Sequence, residues 1–345
     1  MHASASELAD RLAQSAEAVC RHYLSAGRRA GNYWIVGDVR NNKGRSLYVH
    51  LSGPRRGRWA DEATAQFGDL LDLVRETCGL VDFHDVADEA RRFLSLPNPE
   101  PSRSTAGDRR PVAGVSSASE RARRLFAMSG AFHGSLAEAY LRHRGIVAAA
   151  RHGSLRFHPS CYYRDLTTDA TSTFPAMIAA VTDAAGTITG VHRTWLDPCG
   201  AGKAPVDNPR RSLGGLLGNA VRFSFPTIGP VPIMAAGEGI ETMLSLNAVM
   251  PAMPVVAALS ANHLSAFRFP PGSCRLYIAA DADAAGRHGI DRLSRRAQAA
   301  GLLPLVVSPE LGDFNEDLRC LGPDRLIKRL REQLVPEDAL AFLAT

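Results

Sequence analysis

Three features of the sequence predict an α/β protein: a C-terminal parallel sheet flanked by helices, preceded by a mixed α+β basic subdomain and a small α+β N-terminal module. Short apolar runs at 231–236, 275–280 and 302–307 alternate with stretches of helical periodicity, the pattern of strands joined by crossover helices. Residues 154–230 read instead as strands and turns, and from Asn32 the period shifts towards two. A stretch rich in Pro, Ser, Gly and Arg at 96–118 has no periodicity and reads as a linker. The expected domains are therefore 1–95, 119–230 and 231–345.

A chain of 345 residues, 45% apolar and 22% charged, has room for two or three real cores. No apolar run approaches the roughly 18 residues of a membrane span. The N-terminus, MHASASELADRLAQ, is a polar and acidic helix start rather than a signal peptide, so a cytoplasmic protein with no membrane partner is expected. The six cysteines, at 20, 78, 161, 199, 274 and 320, form no CxxC and suggest neither a disulfide framework nor a zinc ribbon. His158 and Cys161 have ligand-like spacing without two further partners nearby, so no zinc is expected.

Charge is unevenly spread. Residues 1–230 hold 29 Lys and Arg against 22 Asp and Glu, whereas 231–345 hold 11 against 13. That asymmetry suits a basic part that holds a polyanion and an acidic part that holds metal. Lysine occurs only at 43, 203 and 328, and the Arg-rich composition alone is no evidence for nucleic acid.

Taken in order, residues 5–26 are an amphipathic helix ended by Gly27. Strands follow at 33–36, 46–51 and 58–59, with turns at 41–44 and 53–57, and a helix starts at Phe67. Arg55, Arg56 and Arg58 sit on or beside these turns with Trp34 and Trp59, a mixture suited to phosphate contacts and base stacking. The alternative is that the tryptophans are the core of a small sheet and the arginines are solvated. Beyond the linker come helices at 120–128 and 135–144, the second capped by Ser135 and stopped by Gly145. Strands are expected at 154–158, 176–181, 187–196 and 220–225. Arg193, Lys203, Arg210 and Arg211 concentrate cations just before the acidic part and are candidates for holding nucleotide or DNA phosphates, with a solvated loop as the alternative.

Two acidic pieces organise the last third, GEGIETMLS at 237–245 and AADADAAGRHG at 279–289. Glu238 falls where a buried strand turns into a helix, and Asp281 and Asp283, two apart on extended chain, point the same way. Adjacent parallel strands would bring three carboxylates together, a set that favours a hard divalent cation such as Mg2+. Separately, a GEG is an ordinary strand-to-helix turn and Asp283 a helix N-cap.

A Glu at one strand end, followed about forty residues later by DxD and AAG, resembles the Toprim domain of bacterial primases, topoisomerases and some nucleases. The resemblance covers about the last third of the chain. It implies catalytic and metal-binding roles for Glu238, Asp281 and Asp283 with Mg2+ or Mn2+. Gly312-Asp-Phe-Asn-Glu-Asp317 stands where such primases carry a further acidic motif, making Asp313 a candidate metal ligand or positioning group. The order G-x-W then F-G-D-L-L-D-L resembles the N-terminal zinc module of bacterial and phage primases, but its zinc ligands are absent.

The resemblance implies a primase-like nucleotidyltransferase, of a plasmid, phage or integrated element. It would make short RNA primers on single-stranded DNA from ribonucleoside triphosphates. With no Walker motif in the chain, any unwinding would fall to a separate replicative helicase. The alternatives are a Toprim nuclease and a catalytically idle DNA-binding accessory protein.

Overall fold

The computed structural model describes residues 5–61, 66–80, 83–96, 118–165, 170–200, 202–206, 208–226, 229–280 and 284–343. The chain divides into two compact units, Met1–Ala113 and Gly114–Thr345. The expected linker at 96–118 lies almost wholly outside the described residues.

In the first unit the expected helix over 5–26 is two, α1 (Ala5–Gln14) and α2 (Ala16–Tyr23). Ser15 separates them with ψ at 26°, its N–H bonded three residues back to the Leu12 carbonyl, which closes α1 in a tighter turn. The strands β1 (Arg28–Ala30), β2 (Tyr33–Val36), β3 (Leu47–His50), β4 (Trp59–Asp61) and β5 (Gln66–Gly68) pair in sequence order as an antiparallel meander.

The next helix, α3 (Leu70–Cys78), begins later than Phe67 because Asp69 caps it. The Asp69 carboxylate accepts from the Leu71 and Asp72 amides while the Asp72 carboxylate accepts from the Asp69 amide, a capping box that fixes the start. Finally α4 (Phe83–Phe93) closes the unit. Alternation along β2 and β3 sends Trp34, Val36, Leu47 and Val49 inward, against Leu8, Leu12, Val19, Leu70 and Leu73 of the helices.

The second unit starts with α5 (Ala118–Met128) and α6 (Leu136–His143), the latter capped by Ser135 as expected. After a 3-10 turn at Ala149–Arg151 come β6 (Leu155–Arg164), β7 (Thr171–Thr182), β8 (Ile188–Trp195), β9 (Arg210–Gly214), β10 (Ala220–Phe223) and β11 (Ile233–Gly237). Then follow α7 (Ile240–Val249), β12 (Val255–Ala257), α8 (Ala261–Ala266), β13 (Arg275–Ala279), α9 (Ala284–Ala299), β14 (Leu303–Val307), α10 (Phe314–Cys320), α11 (Pro323–Arg331) and α12 (Pro336–Phe342).

These strands form one nine-stranded sheet in the order β14-β13-β11-β12-β10-β7-β8-β9, with β6 also on β7. The four strands β14, β13, β11 and β12 are parallel, and the rest join antiparallel. Along β11 and β13 alternate residues enter different cores. Ala235 and Tyr277 pack with Met243 and Leu246 of α7, whereas Met234, Ala236, Leu276 and Ile278 pack with Leu264 of α8 and Leu293 of α9. Burial on both faces explains why these strands read as continuous apolar runs.

Residues 119–230 and 231–345, expected as a basic subdomain and the C-terminal domain after it, share this sheet, because β10 pairs with β12 through Val221–Ala257 and Phe223–Val255. Arg210 and Arg211, which fall outside the expected strands, lie on the strand β9, paired with β8.

Candidate active site

Glu238 stands where the sequence places it. It follows β11 directly and is half-buried, with Gly239 in extended conformation as N-cap of α7. Gly237 is required by packing: a Cβ there would meet Met243 Sδ at 2.5 Å and Ala279 Cβ at 3.1 Å. The backbone continues in register, the Leu259 amide donating to the Glu238 carbonyl at 2.8 Å. Beside β11 runs β13, with Ala236 opposite Ile278, so the chain leaving β13 at Ala280 emerges next to Glu238. Asp281 and Asp283 themselves lie outside the described residues, between Ala280 and the first residue of α9.

The loop after β14, the next strand over, reaches the same edge of the sheet and carries Asp313. Its carboxylate is an N-cap, Oδ1 accepting from the Glu316 amide at 2.7 Å. The rest of GDFNED is structural. Buried Asp317 accepts from the Glu310 and Leu311 amides at 2.8 Å, and buried Asn315 donates to the Arg144 carbonyl and to Ser245 Oγ, tying α10 to α6 and α7.

One turn into α7 the structure builds a polar centre that sequence reasoning did not single out. The carboxylate of buried Glu241 accepts from the Tyr140 hydroxyl at 2.6 Å and lies 3.4 Å from Lys203 Nζ. Burial alone would raise its pKa, but Lys203, the Tyr140 hydroxyl and Arg210 together bring it down to about 2, so it is ionised. Burial pulls Lys203 below the usual amine range despite Glu241. Nearby His192, on β8, is buried, its Nδ1 2.9 Å from Ser212 Oγ. Burial, and after it Arg210, hold its pKa at about 3, so it is neutral at pH 7. A polar letter three residues after Glu238 within GEGIE was the available signal.

Of the cations proposed from sequence, Lys203 and exposed Arg210 lie beside this centre. Arg193 and Arg211 are engaged in packing within the sheet. Arg211 is buried over the Tyr163 ring, donating to the Tyr163 hydroxyl at 2.9 Å. Arg193 stacks 4.9 Å from the centre of the Trp195 ring and donates to the Ser212 carbonyl. Both guanidiniums hold strands together.

In the first unit Trp34 and Trp59 are 4% and 3% exposed, their indole N–H groups donating to the Leu24 and Asp69 carbonyls. They are core and do not offer faces to bases. The opposite face of the same strands presents Tyr33, Tyr48 and His50 in mutual ring contact at 4.9–5.9 Å, with Tyr33 39% exposed. Arg56 and Arg58 are exposed on the adjoining turn, Arg56 donating to the Leu51 carbonyl and Arg58 3.9 Å from Asp69. Arg55 is half-buried there.

Residues 233–324 match the Toprim domain family, and residues 116–223 match a domain of unknown function, DUF7146. No curated protein matches the chain. Among solved structures it is similar to the zinc-binding and RNA polymerase domains of the Aquifex aeolicus primase, at 16% identity and a TM-score of 0.43 over 97% of this chain and 86% of that one. It is similar to a DNA primase domain from Pseudomonas aeruginosa at 17% identity, TM-score 0.42, over 63% and 78% of the two chains. The primase fragment of the bacteriophage T7 primase-helicase protein gives 12% identity and a TM-score of 0.38 over 88% and 100%. Likeness at this level carries no conclusion about activity.

Among the described residues no helix is long and apolar enough to cross a membrane.

Proposed function

We propose that the protein is a primase-like nucleotidyltransferase that makes short RNA primers on single-stranded DNA from ribonucleoside triphosphates. The observation that supports it most is Glu238 at the carboxyl end of β11, beside the end of β13 from which Asp281-Ala-Asp283 follows, within the Toprim match. The donor set is all carboxylate oxygen, which fits Mg2+ or Mn2+ better than a softer metal. Glu238, Asp281 and Asp283 would hold the metal, with Asp313 positioning the loop after β14 at the same edge. Bound there, the metal would supply charge neutralisation for the transferring phosphates. Lys203, oriented by Glu241, and Arg210 would hold phosphates of nucleotide or template. Tyr33, Tyr48 and His50, with Arg55, Arg56 and Arg58, would stack on and track single-stranded DNA. A separate helicase would supply unwinding.

The test is primer synthesis with labelled ribonucleotides on single-stranded DNA, with and without Mg2+ or Mn2+. Glu238→Ala and Asp281→Ala should each abolish product, while metal-free stability is unchanged or slightly higher as carboxylate repulsion is relieved. Cleavage of the DNA in place of synthesis would convert the reading to a Toprim nuclease. Full activity in either variant would remove the site assignment. DNA binding with neither reaction would leave the accessory-protein reading.

A further inference from the structure

At the opposite edge of the sheet is a recess that the proposed chemistry does not use. Phe223 of β10 pairs with Val255, at the amino-terminal start of β12, so the chain beyond it lies at the edge away from Glu238. Arg151, His152, Gly153, Ser154, Arg222, Ser224, Phe225 and Pro251 surround an open cavity of about 370 Å³ there.

Its polar lining is cationic, and it is built from a buried base. Asn247, fully buried near the end of α7, accepts through Oδ1 from the Arg151 guanidinium, with His152 Nε2 at 3.0 Å. The Asn247 amide donates to Ser224 Oγ and to the Met253 carbonyl, so both walls hang on one side chain. Arg222 Nη1 donates to the Thr182 carbonyl and hydroxyl.

Two further atoms, Arg222 Nη2 and Ser154 Oγ, are buried without a hydrogen bond, the Arg222 guanidinium lying over the Phe225 and Phe267 rings. A buried donor left without an acceptor is unfavourable, and more so when it is charged. Among the described residues no Asp or Glu lines the recess. Burial, and after it the charge of Arg151, hold the His152 pKa at about 4, so the imidazole on this wall is neutral at pH 7.

We propose that this recess binds the terminal phosphate of a free nucleotide, with Arg151, Arg222 and Ser154 as its donors and Phe225 and Pro251 as the apolar wall beside the base. Its volume is at the small end of the range for sites that enclose small ligands, and suits a mononucleotide better than a strand of nucleic acid. Two guanidiniums and a hydroxyl match a phosphate dianion in charge and in donor geometry. The site is separated from Glu238 by the length of α7, so a nucleotide held here would be an effector and not the reacting substrate.

The test is calorimetric titration of the full chain with inorganic phosphate, ADP and GDP in the presence of EDTA, which removes metal-dependent binding at the carboxylate edge. Binding of phosphate and of at least one nucleotide is expected. Arg151→Gln, at an exposed side chain, should weaken it about tenfold or more, the worth of one charge-assisted hydrogen bond. Ser154→Ala should weaken it several-fold without disturbing the fold, as circular dichroism would check. Absence of binding at millimolar phosphate and nucleotide, or affinities unmoved by both variants, would overturn the proposal. So would Arg151-dependent binding confined to an unphosphorylated oligonucleotide, which would make the recess a backbone contact.

Discussion

The centre at Glu241 makes a quantitative prediction. Its pKa of about 2, against an ordinary 4.5, means that the folded unit prefers the carboxylate. At about 1.4 kcal/mol per unit this is about 3 kcal/mol of stability. For a carboxylate whose pKa is depressed by folding, that contribution is fully present above pH 4.5 and is lost as the pH falls towards 2. Glu241→Gln should therefore cost about 3 kcal/mol at pH 7. The cost matches what removing one member of a buried ion pair usually incurs. In a unit of this size it lowers Tm by about 6–12 °C.

Lys203, whose side chain keeps 24% of its exposure, supplies part of the effect, and Tyr140 and Arg210 add to it. A double-mutant cycle of Glu241→Gln with Lys203→Met, followed by urea unfolding, should give a coupling of about 2 kcal/mol. Coupling within about 0.5 kcal/mol of zero would refute the argument. So would a Glu241→Gln protein as stable as the parent between pH 4 and 7.

Three other variants address residues whose roles the structure reassigns or reveals. Trp34→Ala should cost about 3–5 kcal/mol in unfolding free energy, while Tyr48→Ala should lower affinity for single-stranded DNA by about 1–3 kcal/mol. A stable Trp34→Ala protein that has lost DNA binding would reverse that assignment. His192, with a folded pKa of about 3, takes up its proton first in the unfolded chain, so its contribution is complete above pH 6.5 and erodes below it. By pH 5 the loss is about 2 kcal/mol, and His192→Gln should flatten denaturant midpoints measured between pH 6.5 and 5; an unchanged slope counts against a buried neutral imidazole.

What could be read from the sequence was local. The turn after β11 was legible because strand, acid, glycine and helix follow one another within ten residues. The same holds for Ser135 and Gly145 around α6. The face of a strand was also legible in principle: Trp34 shares its parity with Val36, and Tyr33 does not. Composition drew attention to the tryptophans, and the period-two rule assigns them to the core. Arg211 could not be placed by such a rule, since its partners are an aromatic ring on β6 and a carbonyl beyond it. Glu241 was hidden for the same reason. It is ionised because Tyr140 and Lys203 arrive from distant parts of the chain. The start of α3 is a subtler case, since Asp69 and Asp72 cap reciprocally and leave Gln66–Gly68 free to pair as β5.

The antiparallel seam between β10 and β12 has a mechanical consequence. A hinge between two lobes bends where few bonds cross, yet here the Toprim match and the preceding domain are joined by ladder hydrogen bonds within a single sheet. Cutting the chain near residue 230 would strip β12 of that neighbour and bare the backbone of a three-residue, wholly apolar edge strand, an invitation to sticky self-association. The stretch from β11 onward is thus not a portable module in this protein. Beneath Glu238 the ladder runs unbroken from β14 to β9, so the strands on either side of residue 230 are tied along their length and not at a single crossing point.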